Sequence, residues 1–129
     1  MKYAIQINAA PSAGYASWTA YHFIQAALLA GHQILQIFFY QEGIYNAFRY
    51  ALPPEDEANL IALWSELARD QGVDLVVCIS AAQRRGLLHQ DEASRQGALD
   101  DDLAEGFRLA GLGQWVQATL SADRSLVFA

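Results

Sequence analysis

Val73-Asp74-Leu75-Val76-Val77-Cys78-Ile79 is the stretch that decides the fold, because it is apolar at almost every position. A strand with one wet face alternates apolar and polar residues, whereas a continuous apolar run is typical of a parallel strand covered on both faces. Gly72 precedes the run and the polar Ser80 follows it. The stretch therefore predicts a central parallel strand with Cys78 at its carboxyl end.

The clearest helix comes just before this strand. Its apolar residues share one stripe at helical spacing: Leu60, Leu63, Trp64, Leu67 and Ala68. We expect the helix to begin after Pro53-Pro54, with the acidic residues 55–57 at its positive N-terminal end. Gly72 is placed to end it.

Strand-like runs at residues 3–8 and 34–40 enclose another predicted helix. Ser17 is expected to cap that helix and Gly31 to end it. Beyond Cys78, residues 82–102 are polar and contain glycines, so they predict a long loop with short helical turns. Residues 112–120 have helical spacing, and residues 125–128 predict a closing strand.

Strands that alternate with helices in this way predict right-handed crossovers and a parallel sheet between helix layers. We expect an α/β fold, a three-layer flavodoxin-like sandwich with a central, mostly parallel sheet. The chain has 129 residues, which is within the usual range for one domain, so residues 1–129 are expected to form a single domain.

The composition limits the classes of function. The chain is 53% hydrophobic and 17% charged, and its formal net charge is -6. This negative charge opposes attraction to phosphate backbones and anionic membranes, so direct nucleic-acid binding is disfavoured. No apolar run reaches the roughly 18 residues of a membrane span. The N-terminus has no signal-peptide apolar region, and we expect a cytoplasmic protein.

Cys78 is the candidate reactive residue. It is the only cysteine, which excludes an internal disulfide. Reactive groups in open α/β sheets collect beyond the carboxyl ends of the strands, often near a switch in strand order. A helical turn from Ser80 and the positive charges of Arg84 and Arg85 would stabilise a thiolate or bind an anionic partner. The alternatives are a small buried hydrophobic cysteine and solvated arginines.

Other motifs have little support. His22, His32 and His89 are far apart and stand in no zinc motif, and the acidic residues 100–102 read as a helix start. Neither the loop at residues 9–14 nor the glycines at 111 and 113 match a nucleotide fingerprint, and both predict turns, although a loop between the first strand and the first helix can present free amides to an anion. We therefore expect no metal and no cofactor. The aromatic residues between 38 and 50 bracket a turn and predict an interface patch, with core packing as the alternative for those on the strand and a subunit contact through Tyr45 to Tyr50.

At Cys78 the sequence resembles the DsrE/TusD sulfurtransferase subunits, and the resemblance extends over essentially the whole chain. It rests on the stretches Ile37-Phe38-Phe39-Tyr40-Gln41-Glu42-Gly43-Ile44-Tyr45-Asn46, Val76-Val77-Cys78-Ile79-Ser80-Ala81-Ala82-Gln83-Arg84-Arg85-Gly86, Glu92-Ala93-Ser94-Arg95, Gly111-Leu112-Gly113 and Ala122-Asp123-Arg124. The loop at residues 9–16 is unlike that of other members. The resemblance implies the same three-layer fold and a sulfur-carrying role for Cys78.

The resemblance also implies partners and a mechanism. Cys78 would take the outer sulfur of a persulfide on a TusA-like donor and pass it to a cysteine of a TusE/DsrC-like acceptor. Related subunits of the TusB/TusC or DsrF/DsrH kind would complete a heterohexamer. We expect the relay to serve 2-thiouridine synthesis at tRNA wobble positions, with dissimilatory sulfur oxidation as the alternative.

Two alternatives from other classes of function stay open at this point. The high apolar content and single thiol are compatible with a noncatalytic assembly subunit in which Cys78 is buried. The fold alone is compatible with a nucleotide or flavin module, but fold is a weak guide to function.

Overall fold

The computed structural model describes residues 1–87 and 101–129. Its strands are β1 (Lys2–Ile7), β2 (Gln33–Phe39), β3 (Leu75–Cys78), β4 (Phe107–Ala110) and β5 (Arg124–Phe128). They form one sheet in the order β4-β3-β2-β1-β5, and all four pairings are parallel. The parallel sheet expected from the sequence is confirmed.

Helices connect the strands. They are α1 (Ala16–Leu29), α2 (Leu60–Gln71), α3 (Ile79–Arg84) and α4 (Leu112–Ser121), and a 3-10 helix (Gln41–Ala47) follows β2. Gly31 and Gly72 follow the ends of α1 and α2 with φ of +85° and +68°, which confirms the prediction that these two glycines end the helices. Within the described ranges, no helix is long and apolar enough to cross a membrane.

Two neighbouring residues of β2 show that helices cover both faces of the sheet. The ring of Phe39 meets Trp64 of α2 edge to face at 5.5 Å, and Trp64 in turn meets Tyr21 of α1. The ring of Phe38 stacks on Trp115 of α4 at 5.9 Å. Because successive side chains of a strand point to opposite faces, α1 and α2 lie on one face and α4 on the other. The three-layer architecture is confirmed.

The two faces of the sheet differ in composition. In the observed register, every strand gives the α1/α2 face two large apolar side chains: Leu126 and Phe128, Ile5 and Ile7, Ile37 and Phe39, Leu75 and Val77, Phe107 and Leu109. The α4 face also holds polar side chains, among them Gln6, Gln36 and Arg108. The main hydrophobic core therefore lies between the sheet and the α1/α2 layer.

The helix starts differ from the sequence predictions. Tyr15 holds the cap position of α1, while Ser17 is buried inside the helix and donates a 2.7 Å hydrogen bond to the carbonyl of Ala9. The helix α2 begins at Leu60 and is capped by Asn59, whose side chain accepts from the Ala62 amide. The acidic residues 55–57 precede that cap, so their predicted position on the first turn is wrong.

The region after Cys78 also differs. The helix α3 occupies residues 79–84, and β4 was not expected at all. Leu103 makes an isolated antiparallel bridge to Phe48, so the helix start predicted before Leu103 is wrong. Residues 88–100 lie outside the described residues. They include three parts of the sequence discussed above: His89, the stretch Glu92-Ala93-Ser94-Arg95 and Asp100.

Candidate active site at the carboxyl edge of the sheet

Cys78 ends β3, an inner strand with β2 on one side and β4 on the other. Its backbone is extended, with φ of -61° and ψ of 118°, and it serves as the cap residue of α3, which begins at Ile79. The helical turn predicted after the cysteine is thus present. The position at the carboxyl end of a parallel strand is the one where α/β folds place their reactive groups.

The strand register assigns Cys78 to the α4 face. Val76 pairs with Phe38, which stacks on Trp115 of α4, and Cys78 follows two residues later on the same face. Across the ladder, Cys78 pairs with Ala110 of β4, a small side chain. Cys78 is nonetheless only 2% exposed, and its thiol makes no hydrogen bond to a described residue.

The strand order changes direction elsewhere in the sheet. The chain adds β2, β3 and β4 on one side of β1, and β5 then returns to the other side of β1. The switch point therefore lies between β1 and β5, two strands away from Cys78. The sequence correctly placed the cysteine at a strand end, but that end is not beside the switch.

Arg85 is held by an ion pair across the edge. Its Nε and Nη2 atoms lie 2.8 and 2.6 Å from the same oxygen of Glu42, Oε1, and its Nη1 donates to the carbonyl of Ala81 at 3.2 Å. This links α3 to the 3-10 helix. Arg84 is exposed and makes no ion pair with a described residue. The predicted action of either arginine on a thiolate stays a prediction.

Glu42 was missed from the sequence, where Gln41-Glu42-Gly43 reads as a simple turn. The structure places it between two constrained residues. Gln41 has a φ of +51°, which non-glycine residues rarely adopt. A Cβ atom built on Gly43 would overlap the carbonyl oxygen of Ile7 at the end of β1. The backbone that carries Glu42 is therefore tightly specified.

A buried polar network centred on Asn46 holds this turn in place. Asn46 is fully buried, and its Nδ2 lies within hydrogen-bond distance of the carbonyl oxygens of Gly43 and Ala9 and of the Ser17 hydroxyl. Its Oδ1 accepts a 2.9 Å bond from the Trp64 indole. The network joins the loop after β1, the 3-10 helix, α1 and α2. A buried amide side chain holds a segment in place only when its N–H groups and its oxygen all have hydrogen-bond partners.

A cleft of about 580 Å³ opens beside the turn, on the α1/α2 side. Trp18 and Tyr45 contribute aromatic walls, Leu52 and Ile61 aliphatic ones, and Glu42 lies on its edge. Cys78 does not line this cleft. The volume is that of a typical ligand or peptide-side-chain pocket.

No group of three or more potential metal-binding side chains occurs among residues 1–87 and 101–129. His22 contacts the rings of Trp18 and Tyr21, and His32 bonds the amino group of Met1. The glycines at 111 and 113 flank the start of α4. The loop at residues 9–14 borders the cleft, and its Ala9 carbonyl belongs to the buried network.

The chain matches the model of the DsrE/DsrF-like family over residues 1–128. It is 46% identical to a sulfurtransferase named DsrE from Allochromatium vinosum, covering 99% of this chain and 98% of the relative. It is 39% identical to a sulfurtransferase named TusD from an Enterobacter species, covering 99% of this chain and all of the relative. A TusD homolog from Vibrio vulnificus is also 39% identical over 99% of this chain.

A solved structure, that of the ychN protein from Escherichia coli, has the same fold. The two superpose with a TM-score of 0.78 over 99% of each chain, at 22% sequence identity. At that identity the likeness supports the α/β architecture with its parallel sheet.

Proposed function

We propose a cysteine-persulfide relay for this chain, which belongs to the DsrE/DsrF-like family and is a sulfurtransferase. The observation that carries the proposal is the position of Cys78. It is the only cysteine of the chain, it ends an inner parallel strand, and a helix begins at the next residue. No other side chain in the sequence can form a persulfide.

The relay consists of two displacements. The Cys78 thiolate attacks the outer sulfur of a donor persulfide, the sulfur–sulfur bond of the donor breaks, and the donor cysteine leaves as a thiolate. An acceptor thiolate then attacks the outer sulfur now carried by Cys78, and Cys78 leaves as a thiolate. Both steps move sulfane sulfur without net oxidation, so they need no redox cofactor.

Burial of Cys78 supports a protein-controlled relay. A thiol that is 2% exposed is shielded from small oxidants. The donor cysteine must reach the thiol past the residues that cover it. We propose that docking of the partner opens this cover, so that transfer takes place only within the complex.

We propose a TusA-like protein as donor and a TusE/DsrC-like protein as acceptor, with related TusB/TusC-like or DsrF/DsrH-like subunits completing a heterohexamer in the cytoplasm. The exposed surface of α4 supports an assembly of this kind. Leu112, Val116 and Leu120 are 47%, 54% and 82% exposed, and no residue of α4 is charged. A surface of this composition is typical of a subunit contact.

Two destinations for the sulfur are proposed. One is tRNA wobble 2-thiouridine synthesis, which the TusD relatives at 39% identity support. The other is dissimilatory sulfur oxidation, which the DsrE relative at 46% identity favours. The 2% exposure of Cys78 fits the noncatalytic assembly role, but that role has less support because these relatives are named as sulfurtransferases.

The test is intact-mass measurement after the protein has been incubated with a persulfidated TusA-like donor. We expect the wild type to gain the mass of one sulfur atom, about 32 Da, and Cys78→Ser to gain none. The donor is removed before analysis, and reduction should reverse the gain. A sulfur gain of equal size in Cys78→Ser would contradict the relay.

A second measurement separates catalysis from folding. Cys78→Ser should still unfold cooperatively, at a cost of about 1–3 kcal/mol, because its hydroxyl is buried where the thiol makes no hydrogen bond to a described residue. If the wild type gains no sulfur even with its partner subunits present, the noncatalytic assembly role is favoured instead.

A further inference from the structure

We infer that the cleft beside Glu42 is a docking site for a partner-protein segment that carries an arginine or lysine next to apolar side chains. The site is separate from Cys78, which does not line the cleft. The inference takes from the proposed function only that the partner is a protein. It assigns a second contact point on the same edge of the sheet.

The walls of the cleft fit apolar groups. Trp18 of α1, Tyr45 of the 3-10 helix and Ile61 of α2 line the cleft together with the segment from Ala51 to Pro54. These walls come from four separate parts of the chain, and the Asn46 network joins three of them: α1, the 3-10 helix and α2. Because these hydrogen bonds hold the walls in place, binding requires little rearrangement of the cleft.

The charge of the cleft selects a cationic occupant. Among its lining residues, Glu42 and Glu57 are acidic and none is lysine or arginine. Of the two carboxylate oxygens of Glu42, Arg85 bonds only Oε1, so Oε2 has no hydrogen-bond partner among the described residues. The Glu57 carboxylate also has no ion pair with a described residue. The indole of Trp18 adds a surface suited to cation–π contact.

The backbone fixes the position of Glu42. It stands between Gln41, whose φ is +51°, and Gly43. The Ile7 carbonyl lies so close to Gly43 that no side chain fits at that position. Arg85 additionally restrains the carboxylate from the side of α3. A rare backbone conformation is unfavourable by itself and is often maintained where it positions a functional group.

The surroundings favour a protein over a small molecule. Leu52 on the cleft edge is 72% exposed, and the nearby Tyr50 is 62% exposed. A small ligand inside the cleft would leave both apolar side chains in water, whereas a protein segment that continues across the edge would cover them. Sulfur relay also requires repeated docking of carrier proteins.

The three tryptophans provide a site-resolved test. Trp18 lines the cleft, Trp64 is buried in the core, and Trp115 lies on the opposite face of the sheet. The probes are two capped tripeptides, acetyl-Leu-Arg-Leu-amide and its citrulline analogue, which has nearly the same shape but no charge. Each is titrated into the nitrogen-15-labelled full chain while the three indole N–H signals are recorded.

We expect the arginine peptide to shift the Trp18 signal with a dissociation constant of about 1 mM, and to leave the Trp115 signal in place. The citrulline peptide should bind at least about 5-fold more weakly, and Glu42→Gln with Glu57→Gln should reduce arginine-peptide binding by a similar factor. Glu66→Gln on α2 is the matched acidic control, because Glu66 does not line the cleft.

No Trp18 shift up to about 10 mM peptide would overturn the inference, as would equal binding of the arginine and citrulline peptides. If the two peptides bind equally and the glutamate variants change nothing, the cleft is an apolar pocket for an uncharged ligand. Because no sulfur transfer is measured, failure here is distinct from failure of the Cys78 relay.

Discussion

The two faces of the sheet are built differently. On the α1/α2 face, all five strands contribute two large apolar side chains, and Trp64, at 0% exposure, packs against both Phe39 and Tyr21. On the α4 face the sheet includes Gln6, Gln36 and Arg108, and Ala118 is the buried residue of α4. Within residues 1–87 and 101–129, one face is a closed core, whereas the α4 face also has exposed side chains such as Arg108.

The two faces of the sheet serve different purposes, since one stabilises the fold and the other contains the candidate reactive cysteine. A closed core positions the loops at the carboxyl edge, because Asn46, Trp64 and Ser17 join those loops to α1 and α2. The α4 face contains Cys78 and the apolar surface of α4, where partners are expected. Cys78, the candidate reactive residue, thus lies on the same face of the sheet as the exposed apolar surface of α4. Regions of low local stability are the ones that open most readily.

The largest expected effect comes from the two tryptophans that face each other across the sheet. Trp64→Ala should lower the free energy of unfolding by about 5 kcal/mol, since it removes a buried ring and a hydrogen bond to Asn46. Trp115→Ala should cost about 2 kcal/mol, because Trp115 is half-buried. Urea unfolding measures both, and equal losses would contradict the asymmetry between the faces.

Two glycines give the next comparison. Gly43→Ala forces a Cβ into the Ile7 carbonyl and should cost about 3 kcal/mol. Gly113→Ala lies within α4 with open space around it, and it should stabilise the protein by about 0.5–1 kcal/mol. Thermal unfolding of the two variants distinguishes them. A tolerated alanine at 43 would show that the turn can move away from β1.

Asn46→Ala should destabilise the protein by about 2 kcal/mol, because it leaves the buried Trp64 indole N–H without its partner and removes one of the two donors to the Ala9 carbonyl. In a double-mutant cycle with Trp64→Phe, which removes the indole N–H, the two losses should be less than additive. Additive losses would mean that Asn46 stabilises the loops without help from Trp64.

The smallest effect is expected on the α4 face. The hydrogen bonds from Arg108, at 2.8 Å, hold the pKa of Asp74 below its ordinary value. A depressed pKa stabilises the fold at pH values above about 4, and this stability is lost as the pH falls through the folded-state pKa. The Asp74 side chain is 36% exposed, so screening keeps the contribution below about 1 kcal/mol.

Unfolding measured between neutral pH and about pH 2.5 tests this contribution. Arg108→Gln should lose stability at neutral pH and show a shallower decline on acidification than the wild type. Lys2→Gln is a charge-matched control at the other side of the sheet. Equal acid sensitivity of Arg108→Gln and the wild type would contradict the assignment.

Much of the fold was predictable because burial imposes a pattern on the sequence. The run at residues 73–79 and the stripe of α2 both identify their elements correctly. The strand β4 was missed because Phe107-Arg108-Leu109-Ala110 is only four residues long and lies at the sheet edge, where Arg108 reaches water. Four residues give too short an alternation to distinguish a strand from a loop.

The site was predictable in part, for a different reason. The position of Cys78 at a strand end follows from local sequence, and so does the helix after it. The contact between Glu42 and Arg85 joins residues 43 positions apart, and the residue spacing alone does not indicate it. Ser17 has the residue type of a cap, but its hydroxyl is used by the Ala9 carbonyl instead. Tertiary contacts overrode local preference at both places.

The order of the strands has a consequence for how the protein is made. β1 pairs with β2 on one edge and with β5 on the other, and Tyr3 lies opposite Arg124. During synthesis, β1 to β4 leave the ribosome in the order in which they add to the sheet, whereas the second edge of β1 stays unpaired until the last strand appears. Closing this longest loop is entropically the most costly step of assembly. A nascent chain that stalls before residue 124 therefore leaves one edge of the central strand β1 open as a template for aggregation, and the pairing of β5 covers that edge.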